Sequence, residues 1–219
     1  MSEKKIIGLF GVCQTDICIY LASILQNMGH RVCVVDNSYE QAMHYCIPRP
    51  AEHLLTITYK NIDYERLVPE GDWQEKEYDY LLVDLGVWPP EEALRACGEI
   101  FLVMDCAIAQ MYRYRELMRH MALPMNVILR DVCPEAVSGR KVLAMLQEEN
   151  CFVVDSYILP WNEEDTACRF CMQYQGYQSF SGLSAPFEKM LVKICRELEG
   201  CEEALIWRSF KRARKGVCA

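Results

Sequence analysis

"IIGLFGVCQTDICIYLA", residues 6 to 22, decides the fold because it joins a short apolar run to a helical pattern through one brief loop. The apolar run at 6–10 is typical of a strand that helices cover on both faces. Thr15 or Asp16 can cap the following helix, and Gly29 is expected to end it. The stretch therefore has the layout of a phosphate-binding strand, loop and helix, although the loop lacks the glycines and the lysine that hold a phosphate.

The rest of the chain repeats this alternation of short apolar runs and helical patterns. Further strands are predicted at 32–35, 80–83, 100–104, 126–129 and 152–154, and the last long helix is predicted at 186–199. A small hairpin is expected within 54–64. Right-handed crossovers between such units build a mostly parallel sheet. The sequence thus predicts an α/β fold of three layers, with helices on both faces of the sheet.

Composition limits the classes of function. A chain of 219 residues with 52% hydrophobic content fits one large domain. Its net charge of -8 disfavours nucleic-acid binding by the surface as a whole. Thirteen cysteines without a secretory leader favour a reducing cytoplasm, and no apolar run approaches the roughly 20 residues that cross a bilayer. The CxxC pair of Cys168 and Cys171 lacks a second pair, so no metal site is predicted.

Charged residues stand where the predicted strands end. In a parallel sheet these positions meet at one edge, so residues 13–16, Asp36, Asp84, Asp105 and Arg130 are expected to gather there. The alternative is that each strand-end aspartate only caps a helix and faces water.

In this order the segments resemble the MinD/ParA family of P-loop ATPases, including TadZ/CpaE-like members that position pilus assembly machinery. The resemblance covers nearly the whole chain, through "IIGLFGV", "LASILQNMGHRVCVVD", "YDYLLVDLGVWPPEEALRACGEIFLVMD", "NVILRDVCPEA" and "YILPWNEED". It implies that Asp36 and Asp84 occupy the family's aspartate positions, with Asp84 on the metal side. It also implies that Leu129 or Arg130 replaces the adenine-contacting asparagine, and that Pro160 lies beside the base.

The departures from the family lie in its catalytic loop, which reads KGGxGK[ST]. Cys13 replaces the first lysine, no glycine follows Gly11, the second lysine is missing, and the loop is about four residues short. Asp16 would repel a phosphate at the helix start. We therefore predict no catalytic residue and no cofactor. The remnants of a nucleotide site are Gly11, Cys13, Thr15, Asp16, Asp36, Asp84, Arg130 and Pro160.

The resulting interpretation is a localisation or assembly scaffold with protein partners in a pilus or secretion system, able to form a homodimer. One alternative is an atypical ATPase that binds ATP and magnesium with Asp84 and a lysine from a partner. Another is a DNA-partition accessory. A redox or iron-sulfur role for Cys13, Cys18 and Cys97 is disfavoured, because these positions do not match the ligands of the superfamily branch that shares a cluster between subunits.

The segment 201–219 is predicted to be a basic amphipathic tail appended to a fold domain at 1–200. From residue 204 it carries five basic residues and no acidic ones, which leaves a net charge of -13 in the rest of the chain. A helical wheel separates an apolar arc from a basic arc, and the residues concerned are Leu205, Ile206, Trp207, Arg208, Phe210, Lys211, Arg212 and Lys215. Such a helix can bind the inner face of an anionic membrane, a partner protein, or the protein's own surface.

Overall fold

The short apolar segments form one eight-stranded sheet. The computed structural model describes residues 4–48, 54–147 and 151–218. The strands are β1 (Lys5–Gly11), β2 (Val32–Asp36), β3 (Thr56–Tyr59), β4 (Ile62–Arg66), β5 (Tyr80–Asp84), β6 (Glu99–Met104), β7 (Met125–Val132) and β8 (Val153–Pro160). Their order in the sheet is β3-β4-β2-β5-β1-β6-β7-β8, and all neighbouring pairs are parallel except β3 with β4. The predicted mostly parallel α/β fold is confirmed.

Eight α-helices are present in the described part of the chain. They are α1 (Thr15–Asn27), α2 (Met43–Cys46), α3 (Glu91–Arg95), α4 (Ile108–Met121), α5 (Gly139–Leu146), α6 (Glu163–Gln175), α7 (Ala185–Glu199) and α8 (Glu203–Arg214). A short 3-10 helix occupies Glu70–Glu75. Among the described residues, none of these helices combines the length and apolarity needed to span a bilayer.

Alternation along the strands divides the core between the two faces of the sheet. On β1, Ile7 and Leu9 join the cluster under α1, α7 and α8, whereas Ile6 and Phe10 join the cluster under α3, α4 and α5. All 13 residues of α1 are buried, because the sheet covers one side and α7 and α8 cover the other. The first helix is therefore an interior element of the three-layer fold.

The structure confirms one local prediction and contradicts another. The hairpin expected within 54–64 is confirmed by the antiparallel pairing of β3 and β4, in which Tyr59 lies opposite Ile62. The predicted cap of α1 is wrong. Gln14 precedes the helix, and no side chain caps it from that position. The Thr15 hydroxyl and the Asp16 carboxylate bond instead to Asp84 and Arg130, which lie far away in the sequence.

Candidate functional site

The carboxyl end of β1 leads into the loop before α1, and the sheet holds this loop closely. Gly11 has φ +118°, and a Cβ at this position would lie 1.9 Å from the carbonyl oxygen of Val103. Its N–H donates to the carbonyl of Gly86 at 2.8 Å, and the N–H of Val12 donates to Val103 at 2.8 Å. Gly11 is thus required by the close approach of β6, and both N–H groups are used within the sheet.

Cys13 forms the outermost point of the loop. It is exposed and has φ 57°, a left-handed conformation that costs a residue with a Cβ about 1 kcal/mol or more. Its carbonyl oxygen accepts a hydrogen bond from Nη1 of Arg130. The side chain of Arg130 therefore reaches from the end of β7 to the loop before α1 and holds its turn in place.

Asp16 and Arg130 form a buried ion pair at the start of α1. Nη1 and Nη2 of Arg130 donate to Oδ1 and Oδ2 of Asp16 at 3.0 and 3.1 Å, and the arginine residue is only 2% exposed. The guanidinium also lies 5.6 Å from the ring centre of Phe187. Burial disfavours its charge, but the Asp16 carboxylate outweighs burial and raises the pKa of Arg130. This bidentate pair places a fixed anion at the amino end of the helix.

Asp84 ends β5 beside this pair and is fully buried. Its carboxylate accepts hydrogen bonds from Gln14 Nε2 and Thr15 Oγ1, each at 2.6 Å, and from the N–H of Gly86 at 3.0 Å. Burial, followed by the charge of Asp36 on the neighbouring strand, raises the pKa of Asp84 to about 6, although the three hydrogen bonds act in the opposite direction. The side chain that the resemblance assigns to a metal is thus bonded to the protein's own loop.

Asp36 ends β2 next to Asp84 and organises the segment that follows it. Its Oδ1 accepts from the N–H of Ser38 at 3.0 Å and from its hydroxyl at 2.6 Å, and its Oδ2 accepts from the N–H of Met43 at 3.0 Å. The carboxylate therefore links β2 to the start of α2. These contacts fit the alternative in which a strand-end aspartate has a local structural role.

An open cavity of about 310 Å³ lies over the loop, and its polar lining includes Gln14, Asp16, Glu40 and Arg169. Arg169 extends from α6, and its Nη1 lies 3.6 Å from Oδ2 of Asp131. The cavity is therefore bordered by acidic groups as well as by one arginine. Such a lining offers no concentration of positive charge for a polyphosphate.

Two of the residues that the sequence placed at this site make their hydrogen bonds or strand pairing with other residues. Asp105 accepts hydrogen bonds from the N–H of Ala107 at 2.7 Å and from Gln110 at 3.4 Å, so it serves the start of α4. Pro160 ends β8 opposite Val132 and is exposed. The structure brings together residues 13–16, Asp36, Asp84 and Arg130. The sequence placed Gln14 here as part of 13–16 but assigned it no role, and no local pattern predicted its hydrogen bond to Asp84.

The basic tail forms α8, which docks on α1 through its apolar arc. Ile206 and Phe210 are fully buried, and the ring of Phe210 meets that of Phe180 edge to face at 5.5 Å. The hydroxyl of Ser209 donates to the carbonyl of Asn27 at 3.2 Å. Of the three surfaces considered for this helix, the structure places its apolar arc on the protein's own core. Leu205 and Trp207 are exceptions, since 44% of the surface of Leu205 is exposed and Trp207 is only partly buried.

This placement favours the protein's own surface, among the three alternatives that the sequence left open, over insertion of the apolar arc into a membrane. Burial of a Phe or Ile side chain contributes about 1.5–3 kcal/mol each, so releasing Ile206 and Phe210 would cost several kcal/mol before any lipid contact is made. The face of α1 beneath them would be exposed as well. In this conformation the helix offers lipid its cations and the exposed Leu205, while the apolar contribution of Ile206 and Phe210 to membrane binding is absent.

Comparison with known proteins gives the fold. No family model and no curated protein matches the sequence. Among solved structures, MinD from Aquifex aeolicus in its MinC:MinD complex is similar with a TM-score of 0.64 and 14% identity, over 90% of this chain and 97% of that one. A ParA family ATPase from Chlorobium tepidum TLS gives 0.56 and 12%, over 96% and 99%. The pNOB8 ParA bound to nonspecific DNA gives 0.56 and 16%, over 91% and 100%. The chain therefore has the α/β fold of the MinD and ParA ATPases.

Proposed function

We propose that this protein is a MinD/ParA-like pseudo-ATPase that acts as a localisation or assembly scaffold and does not hydrolyse ATP. The observation that carries the proposal is the buried pair of Asp16 and Arg130 at the start of α1. In a P-loop ATPase, this helix end holds the phosphates through backbone N–H groups and a lysine. Here the protein's own carboxylate takes the place of the anion, and an arginine from β7 takes that of the cation.

Electrostatics support the loss of ATP binding. Asp16, Asp36 and Asp84 surround the loop, and Arg130 is the buried cation that faces them. A phosphate charge at about 5 Å from one carboxylate would be repelled by about 3 kcal/mol at an effective dielectric constant of 20. A triphosphate would meet several such terms at once. The residues present therefore do not fit ATP with magnesium, and no hydrolytic step is assigned to them.

The backbone of the loop supports the same proposal. A phosphate-binding loop points consecutive N–H groups at its ligand. In this chain the N–H groups of Gly11 and Val12 donate to β5–α3 and β6 carbonyls, and the N–H of Ile17 donates to the Asp16 side chain. Wrapping the loop around a phosphate would break these bonds. The strand and the helix persist because the fold needs them, and the loop serves to join them.

The role that remains is a scaffold for protein partners. The unit at 1–200 supplies the MinD/ParA-like fold, and 201–219 adds a helix that packs on it. The resemblance to TadZ/CpaE-like members makes a pilus or secretion system the proposed setting, in the cytoplasm. A protein partner agrees with the similar MinD of Aquifex aeolicus, which is found in complex with MinC. No membrane anchor through α8 forms part of the proposal, because its apolar arc is buried.

Calorimetric titration of ATP with magnesium into the full chain tests the proposal. We expect no saturable binding up to about 1 mM nucleotide, since the site already contains its own ion pair. The similar ParA family ATPase from Chlorobium tepidum TLS serves as the positive control. A dissociation constant in the micromolar range would overturn the proposal. If Asp84→Asn then abolished that binding, the atypical ATPase would be the correct alternative.

Sedimentation in the presence and absence of ATP tests the association state. A ligand shifts an equilibrium only through its different affinities for the two states, so a nucleotide that does not bind cannot promote a homodimer. We expect the same sedimentation profile in both conditions. A dimer that appears only with ATP would contradict both the scaffold interpretation and the loss of nucleotide binding.

A further inference from the structure

The outward face of α8 carries a row of cations opposite its buried arc. Ile206, Phe210 and Ala213 face the core, and the opposite side of the helix carries exposed cations. Spacings of three and four residues align the cations over roughly 10 Å of helix axis. We call this row the basic stripe, and it consists of the exposed side chains Arg208, Lys211, Arg212 and Lys215.

The basic stripe is not neutralised by the protein itself. Among the described residues, no carboxylate forms an ion pair with Arg208, Lys211 or Lys215, and Arg212 donates only to the carbonyl of Cys218 at 3.1 Å. Arg214, which lies at the edge of the same helix, is paired with Glu188 at 2.8 Å. The acidic surface of the protein thus neutralises the cation that faces it and leaves the four outward ones available.

Residues beside the stripe give it an apolar border. Leu205 lies one turn before Arg208 and is 44% exposed, and Val217 follows Lys215 and is 47% exposed. A surface with central cations and apolar ends complements a short segment with central carboxylates and apolar ends. An amphipathic helix of about three turns has both the length and the side-chain spacing for such a contact.

The acidic charge of the rest of the protein and the short length of the basic stripe favour a polypeptide, rather than DNA or a bilayer, as the ligand of the stripe. The rest of the chain has a net charge of -13, so a DNA duplex or an anionic bilayer that extends beyond the stripe would meet an acidic surface. A bilayer also gains little here, because the apolar arc is held in the core. A short acidic segment gains the attraction of the four cations and avoids most of this repulsion.

We propose that the basic stripe is a docking surface for an acidic segment of a partner protein. The proposal depends on the scaffold role only in that a scaffold needs a partner. Its docking contact does not involve the loop before α1 or any nucleotide. A failure to bind an acidic segment would therefore leave the proposed loss of ATP binding intact.

The test uses the full chain and a fluorescent 15-residue polyglutamate peptide, with anisotropy measured without nucleotide at low and at physiological salt. Arg208→Glu with Lys211→Glu reverses two charges in the stripe. The matched control is Arg140→Glu with Lys141→Glu, which makes the same change of net charge at two exposed cations on α5. We expect the stripe variant to weaken binding about tenfold or more and the control to change it by less than about twofold.

Parallel titrations use a 20-base-pair DNA duplex and vesicles of phosphatidylcholine with phosphatidylserine. Selective loss of peptide binding in the stripe variant, with weaker binding of DNA and vesicles at the same salt, would support the proposal. An equal loss in both variants would show that only overall charge matters and would overturn it. Absence of peptide binding, or tighter binding of DNA or vesicles through the stripe, would also overturn it.

Discussion

The two ends of α1 are equally buried but are held in different ways. At its amino end, the charged pair of Asp16 and Arg130 and the carboxylate of Asp84 are taken out of water. At its carboxyl end, Asn27 accepts a hydrogen bond from Ser209, and Phe210 packs beside it among aromatic rings. The amino end of α1 is therefore held by buried charged groups, and its carboxyl end is held by apolar packing and a neutral hydrogen bond.

The difference indicates that the amino end of α1 is the specialised one. Apolar packing with neutral hydrogen bonds is an ordinary means of covering a helix. A buried ion pair is not an ordinary means of covering a helix, because desolvation offsets much of its attraction. Apolar residues of similar volume in its place often give a protein of equal stability. The amino end therefore retains charged groups at a position where stability alone would not require them.

The largest expected effect tests the charged end. Asp16→Ala removes one partner and leaves the guanidinium of Arg130 buried and unpaired, which should lower the free energy of unfolding by about 4 kcal/mol. The double variant Asp16→Ala with Arg130→Met removes both charges and should recover most of that loss. Urea denaturation at pH 7 measures both. A double variant as unstable as the single one would show that the pair contributes through packing rather than charge.

The next largest effect tests the apolar packing at the carboxyl end of α1. Phe210→Ala should lower the free energy of unfolding by about 3 kcal/mol, because it leaves a cavity between α8 and α1. The loss should be the same at pH 5 and pH 8, since the ring contacts of Phe210 among the described residues are with Phe180 and Trp207, neither of which titrates. Leu205→Ala on the same helix is the control and should cost less than about 1 kcal/mol. A large effect of salt or pH on the Phe210→Ala variant would contradict the distinction between the two ends.

The smallest effect concerns the pH dependence of the charged end. Asp84 has its pKa raised from 3.8 in an unfolded chain to about 6, so the folded state binds the proton more tightly. Its unfavourable contribution is absent below pH 4, grows between pH 4 and 6, and is complete above pH 6. Asp84→Asn should therefore stabilise the protein by roughly 2 kcal/mol at pH 8, the order of magnitude that linkage gives for a pKa shift of this size.

Thermal unfolding across pH 4 to 8 measures this difference. The advantage of the Asp84→Asn variant should disappear near pH 4, where the parent carboxyl group is largely neutral in the folded state and begins to be protonated in the unfolded one. The three donors can still be accommodated, since the introduced amide oxygen accepts from Gln14 and Gly86 and the amide nitrogen donates to the Thr15 hydroxyl. Destabilisation by Asp84→Asn at pH 8 would mean that the charge itself is needed for folding.

Much of the fold could be predicted from the sequence because its strands are local signals. The strands β2 and β5, for example, are short apolar runs that end at Asp36 and Asp84, and parallel crossovers between such runs leave few topologies. Helix ends were less predictable. The Thr15 hydroxyl was available for a local cap but bonds to Asp84, which is 69 residues away, and no local pattern records that choice.

The sequence predicted the approximate location of the site but not the contacts within it. The sequence placed Arg130 at the edge of the sheet, in the position of a base contact, but its side chain crosses to Asp16, 114 residues earlier. A helical wheel likewise identified both arcs of α8 without indicating what would cover the apolar one. Periodicity reports that a face is apolar, and only tertiary packing decides whether lipid, a partner or the protein's own α1 lies against it.

The docking of α8 on α1 also affects how the chain is made. Ser209 and Asn27 are 182 residues apart, and a ribosome adds about 5–20 residues per second. The carboxyl end of α1 around Asn27 therefore remains uncovered by α8 for roughly 10–35 seconds after its own synthesis. We expect this surface to be open to chaperones during that interval, and to stay open in a chain truncated before α8.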